Sequence, residues 1–436
     1  MATIPWNEEN AAHLLRRAGF GGTAVEIADA VRDGLDATVE KLLNYESIST
    51  AELDARIARQ NLDLTNFGGI NRWWMTRLIY SPRPLEERMT LFWHDHFATG
   101  ASKVNQAELM HRQNRLFRTY ALGNFTEFTI EVSKDAAMLI WLDNFTSRKE
   151  APNENYGREL LELFTLGQGF YSELDVFSAS KAFTGWTLTR RPMFEFQFVP
   201  QWHDNTEKDF LGRVGNWNGD DIVKIACGEF AHGRLMASKL FGLFAWENAE
   251  PAVIDPFAEA YLDSGTDLKV LVEAILKSEA MYSPQALWSK VKSPIDHAVI
   301  ACRQLLLDND NIARSIQSAL TVEGQTLYNP PDVAGWDGGL AWINSGALLS
   351  RMNRSNGLAG LVDLSRLTAG ETVTNPEQLV DLLLRRLGPV PVDGAVREEM
   401  IRYVSPNGAL PTGNNLVIKG RGLVHMILSL PEWQMY

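Results

Sequence analysis

Apolar residues recur three or four positions apart along almost the whole chain, and that spacing admits little besides a protein built from helices. Ala11 to Phe20 and Val25 to Leu43 read as two short helices broken at Gly19-Phe20-Gly21-Gly22. Asn71 to Tyr80 and Pro84 to Phe97 follow, with Pro84 suited to open its helix because a first-turn proline gives up no hydrogen bond. Glu108 to Leu122 and Phe125 to Leu142 continue the pattern, then a helix capped by Asn153 that ends near Gly167, then Asp175 to Phe183. The period changes once. Phe194, Phe196 and Phe198 alternate with Glu195 and Gln197, the mark of a half-buried strand, and Thr187 to Thr189 would pair with it across the Arg190-Arg191-Pro192 turn. From there to Asp221 the chain is rich in loop residues, and helical spacing resumes at Ile222. The expected fold is mainly α: a helical lobe over residues 1–170, a β-hairpin and loop insert over 171–221, and a second helical lobe over 222–436.

Charge and cysteine usage exclude several functions. A net charge of −13, with no basic run longer than Arg190-Arg191 or Arg385-Arg386, argues against nucleic acid, whose phosphates call for clustered Lys and Arg. Two cysteines, Cys227 and Cys302, are too few and too far apart for a disulfide framework or a thiolate zinc site. No stretch approaches the roughly 18 apolar residues of a membrane span, and Met1 to Asn10 holds no apolar leader core. As written the chain reads as soluble, acidic and cytoplasmic, or periplasmic or secreted if a leader was removed.

Three segments could carry chemistry. In Trp93-His94-Asp95-His96-Phe97, two of only eight histidines bracket an aspartate, which suits metal or acid–base use. On one continuous helix the two rings point roughly 200° apart, so the competing reading is one packed histidine and one on the surface. In Asn153-Glu154-Asn155-Tyr156-Gly157-Arg158-Glu159-Leu160-Leu161-Glu162, helical spacing puts Asn155, Glu159 and Glu162 on one stripe with Arg158 at its edge. Carboxylates one turn apart can hold a metal or serve acid–base work, or form the solvated face of an amphipathic helix with an Arg158–Glu162 pair. Gly157 inside that helix hints that something approaches closely. In Trp202-His203-Asp204, with Lys208 four residues on, a loop could aim all three groups into a pocket, with Lys208 facing an anion or pairing with Asp204. The loop from Asn329 to Gly339, with Trp336 and then Trp342, suits sugar stacking or simple aromatic packing.

Taken together, these strings resemble a bacterial family known as domain of unknown function 1800. The likeness runs through His13-Leu14-Leu15-Arg16-Arg17-Ala18-Gly19-Phe20-Gly21, Arg88 to Phe97, Asn153 to Leu160, Ala182-Phe183-Thr184-Gly185-Trp186, His203-Asp204, Lys292-Ser293-Pro294 and Pro330 to Trp336. The resemblance implies no reaction. It does imply frequent export, and a neighbouring partner from domain of unknown function 1501, a family that resembles sulfatases and alkaline phosphatases.

The function expected from these residues is a metal-dependent oxidoreductase or hydrolase acting on an anionic or glycan-like small molecule. His94, His96, Glu159, Glu162 and His203 would bind a divalent transition metal (iron, manganese, zinc or copper), with Glu159, Glu162, Arg158, His203, Asp204 and Lys208 as the catalytic set. Two alternatives stand beside it: a metal-free acid–base hydrolase or transferase, and a non-enzymatic binding or scaffold protein whose polar cluster ties the lobes together.

Overall fold

The computed structural model describes residues 4–189 and 194–436. The fold is mainly α, as expected: 62% of the chain is helical, and among the described residues the strands form only two small antiparallel pairs. The helices that build the site are α1 (Glu8–Arg17), α2 (Phe67–Tyr80), α3 (Pro84–His96), α4 (Phe125–Lys134), α5 (Glu154–Glu159), α6 (Glu173–Ala182), α7 (Gly219–Cys227), α8 (Phe230–Phe244) and α9 (Pro294–Gln304). Pro84 occupies the first turn of α3, and Asn153 caps α5 by accepting the Asn155 N–H. The segment from Val25 to Leu43 is two helices rather than one, split at Gly34, and Phe125 to Leu142 divides at Asp135.

The insert holds the expected hairpin. Strand β1 (Trp186–Leu188) pairs antiparallel with β2 (Phe196–Phe198), so that Trp186 lies opposite Phe198. The Arg190-Arg191-Pro192 turn falls outside the described residues. A second hairpin, β3 (Lys208–Phe210) with β4 (Arg213–Gly215), occupies a stretch whose sequence reads only as loop. Neither Lys208-Asp209-Phe210 nor Arg213-Val214-Gly215 alternates apolar with polar residues as Phe196-Gln197-Phe198 does, so nothing marks them as strands.

Two apolar cores share α3. Leu85, Met89 and Trp93 enter the core that runs from Leu14 to Ala286, while Leu91 enters the one that joins α2 to α9 and the C-terminal helices. A helix packed on both sides is buried all round. This corrects the reading that leaves one histidine of α3 on the surface: both are inside, His94 at 1% and His96 at 5% exposure. Burial of this helix also takes charges inside, and they arrive paired. Glu87 accepts from Arg77 and Arg118, at 2.7 and 2.8 Å, and Arg88 meets Asp296 of α9 at 2.6 Å.

Gly157 is where α5 crosses α6. A Cβ there would lie 2.9 Å from Ser180 Oγ and 3.2 Å from the Val176 carbonyl oxygen, whereas one at Gly357 in a distal helix would meet nothing within 4 Å. The same substitution should therefore act in opposite directions. Gly157→Ala is expected to lower the unfolding free energy by about 1 kcal/mol or more, because overpacking outweighs the gain in helix propensity, and Gly357→Ala to raise it by about 0.5–1 kcal/mol. Urea titrations of the two variants check the signs.

Candidate functional site

The last turn of α3 presents three consecutive polar side chains, which leave the helix about 100° apart and meet three different segments. His94 Nε2 accepts the Tyr328 N–H at 3.0 Å, so in the neutral ring the proton sits on Nδ1. Its ring packs edge-on to Trp74 and Trp336, and burial lowers its pKa to about 3. Asp95 Oδ1 accepts the Trp336 N–H at 2.8 Å. The loop can come this close because Gly335 has φ +93° and no side chain; a Cβ there would fall 2.3 Å from Asp95 Oδ1. His96 donates from Nε2 to the Phe164 carbonyl at 3.2 Å, and its Nδ1 accepts from Lys239 Nζ at 3.1 Å.

Phe164 belongs to a feature that 3.6-residue spacing does not reveal. After α5 the helix widens into a π-helix over Leu160–Thr165. Such segments are rare and recur at functional sites. The last carbonyls of any helix lack partners within it. Here three in a row are satisfied by side chains: Leu163 by Lys239 at 3.2 Å, Phe164 by His96, and Thr165 by His232 Nδ1 at 3.0 Å. Lys239 and His232 both come from α8.

Asp95 borders a small cleft of about 130 Å³, lined also by Arg88, Asp296, Trp336, Asp337 and Trp342. Burial pushes the Asp95 carboxyl up to about 6, against the pull of the Trp336 N–H and of Lys239. Burial likewise pushes the Lys239 ammonium down to about 8, against the opposing pull of Asp95. The two groups thus feel each other's charge, yet among the described residues no ion pair within 4.0 Å joins them. Two of the three Lys239 N–H bonds are engaged, with His96 and the Leu163 carbonyl, which leaves one free to donate.

The other expected residues lie in two further neighbourhoods. Glu159 is half-buried, and burial, then Glu162 and Asp332, raise its carboxyl above the usual range. Glu162 accepts from Gln168 Nε2 at 2.6 Å and from the Tyr171 hydroxyl at 2.9 Å, which holds it low. Arg158 grips Glu173 with both terminal nitrogens, at 2.8 and 2.7 Å, instead of pairing with Glu162. Asp332, from the loop that reaches Asp95, brings this face close to the cleft. His203 is in the insert, where its Nδ1 donates to the Thr184 carbonyl at 2.8 Å. Asp204 accepts the Thr206 N–H and hydroxyl at 2.8 and 2.5 Å. Lys208, 2% exposed, donates to the Asp204 and Thr206 carbonyls at 2.8 and 2.9 Å, so its charge fastens the loop. Among the described residues, no three His, Cys, Asp or Glu side chains gather closely enough to hold a metal ion.

Asp95, which borders the cleft, and Lys239, which lies within its electrostatic reach, are ones the sequence reading passed over. Asp95 was flanked by the histidines that drew attention. A signal for Lys239 did exist: it is the one charged residue in the apolar run from Leu235 to Phe244.

Burial holds His13, His94, His96, His232 and His297 well below the ordinary histidine range. Below about pH 6.5 the unfolded chain takes up protons that the folded one refuses, so stability falls as the pH drops. His94→Gln removes one such site while keeping an acceptor for Tyr328. Between about pH 6 and 4 the slope of unfolding free energy against pH should decrease by about 1.4 kcal/mol per unit in this variant. Chemical denaturation across that range reads the difference, and an unchanged slope would show that His94 titrates normally.

Comparison with curated proteins and with solved structures returns no match. One family model does match, and it spans residues 13–435, from the first histidine of the Leu14-Leu15-Arg16-Arg17 string to the penultimate residue. The chain therefore belongs to DUF1800, the family described as proteins of unknown function.

Proposed function

We propose that this chain is a metal-free acid–base enzyme, a hydrolase or transferase, with Asp95 and Lys239 as its proton-transfer groups. One arrangement carries the reading: Asp95 borders the cleft, Lys239 stands within its electrostatic reach without forming an ion pair with it, and burial pushes the carboxyl up to about 6 and the amine down to about 8. A carboxyl that borders a cleft, with an amine poised on the other side of neutrality within its electrostatic reach, is what proton transfer requires. Asp95, ionised above its pKa, takes a proton from the attacking water or hydroxyl. Lys239, still protonated below its own, donates to the developing charge on the other side of the bond. Trp336 and Trp342 flank the cleft, which supports a glycan-like substrate whose apolar ring face can stack there.

His94 and His96 then serve as fasteners. Each has both nitrogens accounted for by a main-chain group, an amine or its own proton, so offering a lone pair to a metal would break a bond that holds the site. The metal-dependent reading would rest instead on Glu159 and Glu162, joined by Asp332.

The expected activity against a panel of glycosides and esters rises with pH through about 6 and falls through about 8. Asp95→Asn should lower kcat about 100-fold or more, and Lys239→Met should remove the alkaline limb. The activity should survive chelators. Stoichiometric metal in untagged protein, with activity lost on chelation and restored by one ion, would replace this reading with the metal-dependent one. Carboxyl NMR with labelled aspartate supplies a check that needs no substrate: a resonance titrating near pH 6 should vanish in Asp95→Asn.

A further inference from the structure

We propose that the insert carries a second, independent binding site, one for an uncharged saccharide. Phe196 and Phe198 are two apart on β2 and so project from one face, and Trp186 stands opposite Phe198 across the ladder. The Trp186 and Phe196 rings meet edge-on at 5.2 Å, and Phe198 meets the His203 ring at 5.4 Å. Together they make a continuous aromatic wall. It is not sealed: Phe198 is 44% exposed, although the burial of Trp186 at 4% shows that the hairpin is firmly seated. A two-stranded ribbon has no second layer to cover such a face.

What faces the wall is polar. The cleft has a volume of about 390 Å³, within the range of small-ligand pockets, and Asn205, Asn216, Asn218, His203, Lys134 and Asp220 complete its lining. The protein itself sets which groups are left for a ligand. Asn216 Oδ1 accepts from Lys208, and Asn218 Oδ1 caps α7 by accepting the Asp221 N–H, so each amide is left with its NH2 donors. His203 donates from Nδ1 to the Thr184 carbonyl, which makes Nε2 its remaining acceptor. Lys134 Nζ stands 2.9 Å from Asp220 Oδ1 and 5.5 Å from the Trp186 ring centroid, which adds an acceptor carboxylate beside the rings.

Aromatic faces bordered by alternating donors and acceptors match a pyranose, with its apolar C–H face and its equatorial rim of hydroxyls. Charge narrows the class further. Lys134 and Asp220 cancel, so the cleft gives no advantage to an anion or a cation, and a stacked nucleotide would lack the basic groups its phosphate needs. His203 acts here as a hydrogen-bonding partner of the ligand and takes no part in the Asp95 cleft.

The test is calorimetric titration of the whole protein with neutral tetrasaccharides of glucose, xylose, mannose and N-acetylglucosamine, beside a uronic-acid tetramer as the charged control. At least one neutral sugar should bind with a dissociation constant below about 10 mM. Phe198→Ala and Asn216→Ala should each weaken it about tenfold. Both residues are exposed, so circular dichroism should show the fold intact. Asp95→Asn, in the other cleft, should leave the affinity unchanged, which keeps this result separate from the acid–base reading. Binding by none of the neutral sugars, a preference for the uronate, or an affinity indifferent to both insert substitutions would overturn the proposal.

Discussion

Everything about the cleft depends on how the last turn of α3 is wired. His94, Asp95 and His96 follow one another in sequence, yet they hold the Tyr328 main chain, the Trp336 main chain and the π-helix respectively. Three residues of helix therefore fix three segments that are distant along the chain. The partners are mostly main-chain groups, which cannot swing away as side chains do. Buried main-chain donors and acceptors must be satisfied, so each bond repays a desolvation that would otherwise count against folding. A helix buried on all sides is the only kind that can reach in three directions at once without exposing one of them to water.

The π-helix completes this arrangement from the other side. Widening the helix turns Leu163, Phe164 and Thr165 so that their carbonyls point at α3 and α8 rather than at the next turn. An α-helix over the same residues would still leave terminal carbonyls, but not this fan of three aimed at a lysine and two imidazoles. Lys239 is thereby anchored by its head group in a place where burial alone would favour its neutral form.

Much of the architecture was legible in the residues. Asn153 caps its helix, Pro84 opens another, Phe196 and Phe198 alternate on a strand, and Gly157 marks a crossing too tight for a side chain. These follow from local rules in which a residue's own shape decides. What was not legible depends on main-chain partners far away. Lys208 looks like an anion-binding charge until the carbonyls of Asp204 and Thr206 are found wrapped around it. Arg158 looks like a partner for Glu162 until Glu173 approaches from the next helix. The register of the π-helix is invisible because one extra residue per turn, over a single turn, alters the apolar spacing by less than its natural scatter.

The treatment of charge elsewhere in the core gives the cleft its meaning. Glu87 lies between two arginines, Asp296 meets Arg88, and Glu323 contacts Arg354 at 2.5 Å, all of them nearly sealed from water. Arg16 and Arg17 feel Glu9, and Asp296 and Glu247, only at a distance, and they donate to the Gly388 and Ala286 carbonyls and stack on Trp288 and Tyr436. A buried charge left without any partner costs several kcal/mol, so those with no opposite charge beside them are met by hydrogen bonds, Asp135 by Gln113 and Lys292 by the Trp433 carbonyl. Asp95 and Lys239 sit close enough to perturb each other without closing into an ion pair, the acid bonded to the Trp336 N–H and the amine to His96 and Leu163. In the proposed reaction, a proton donor and acceptor held apart in this way would leave room between them for the bond on which they act.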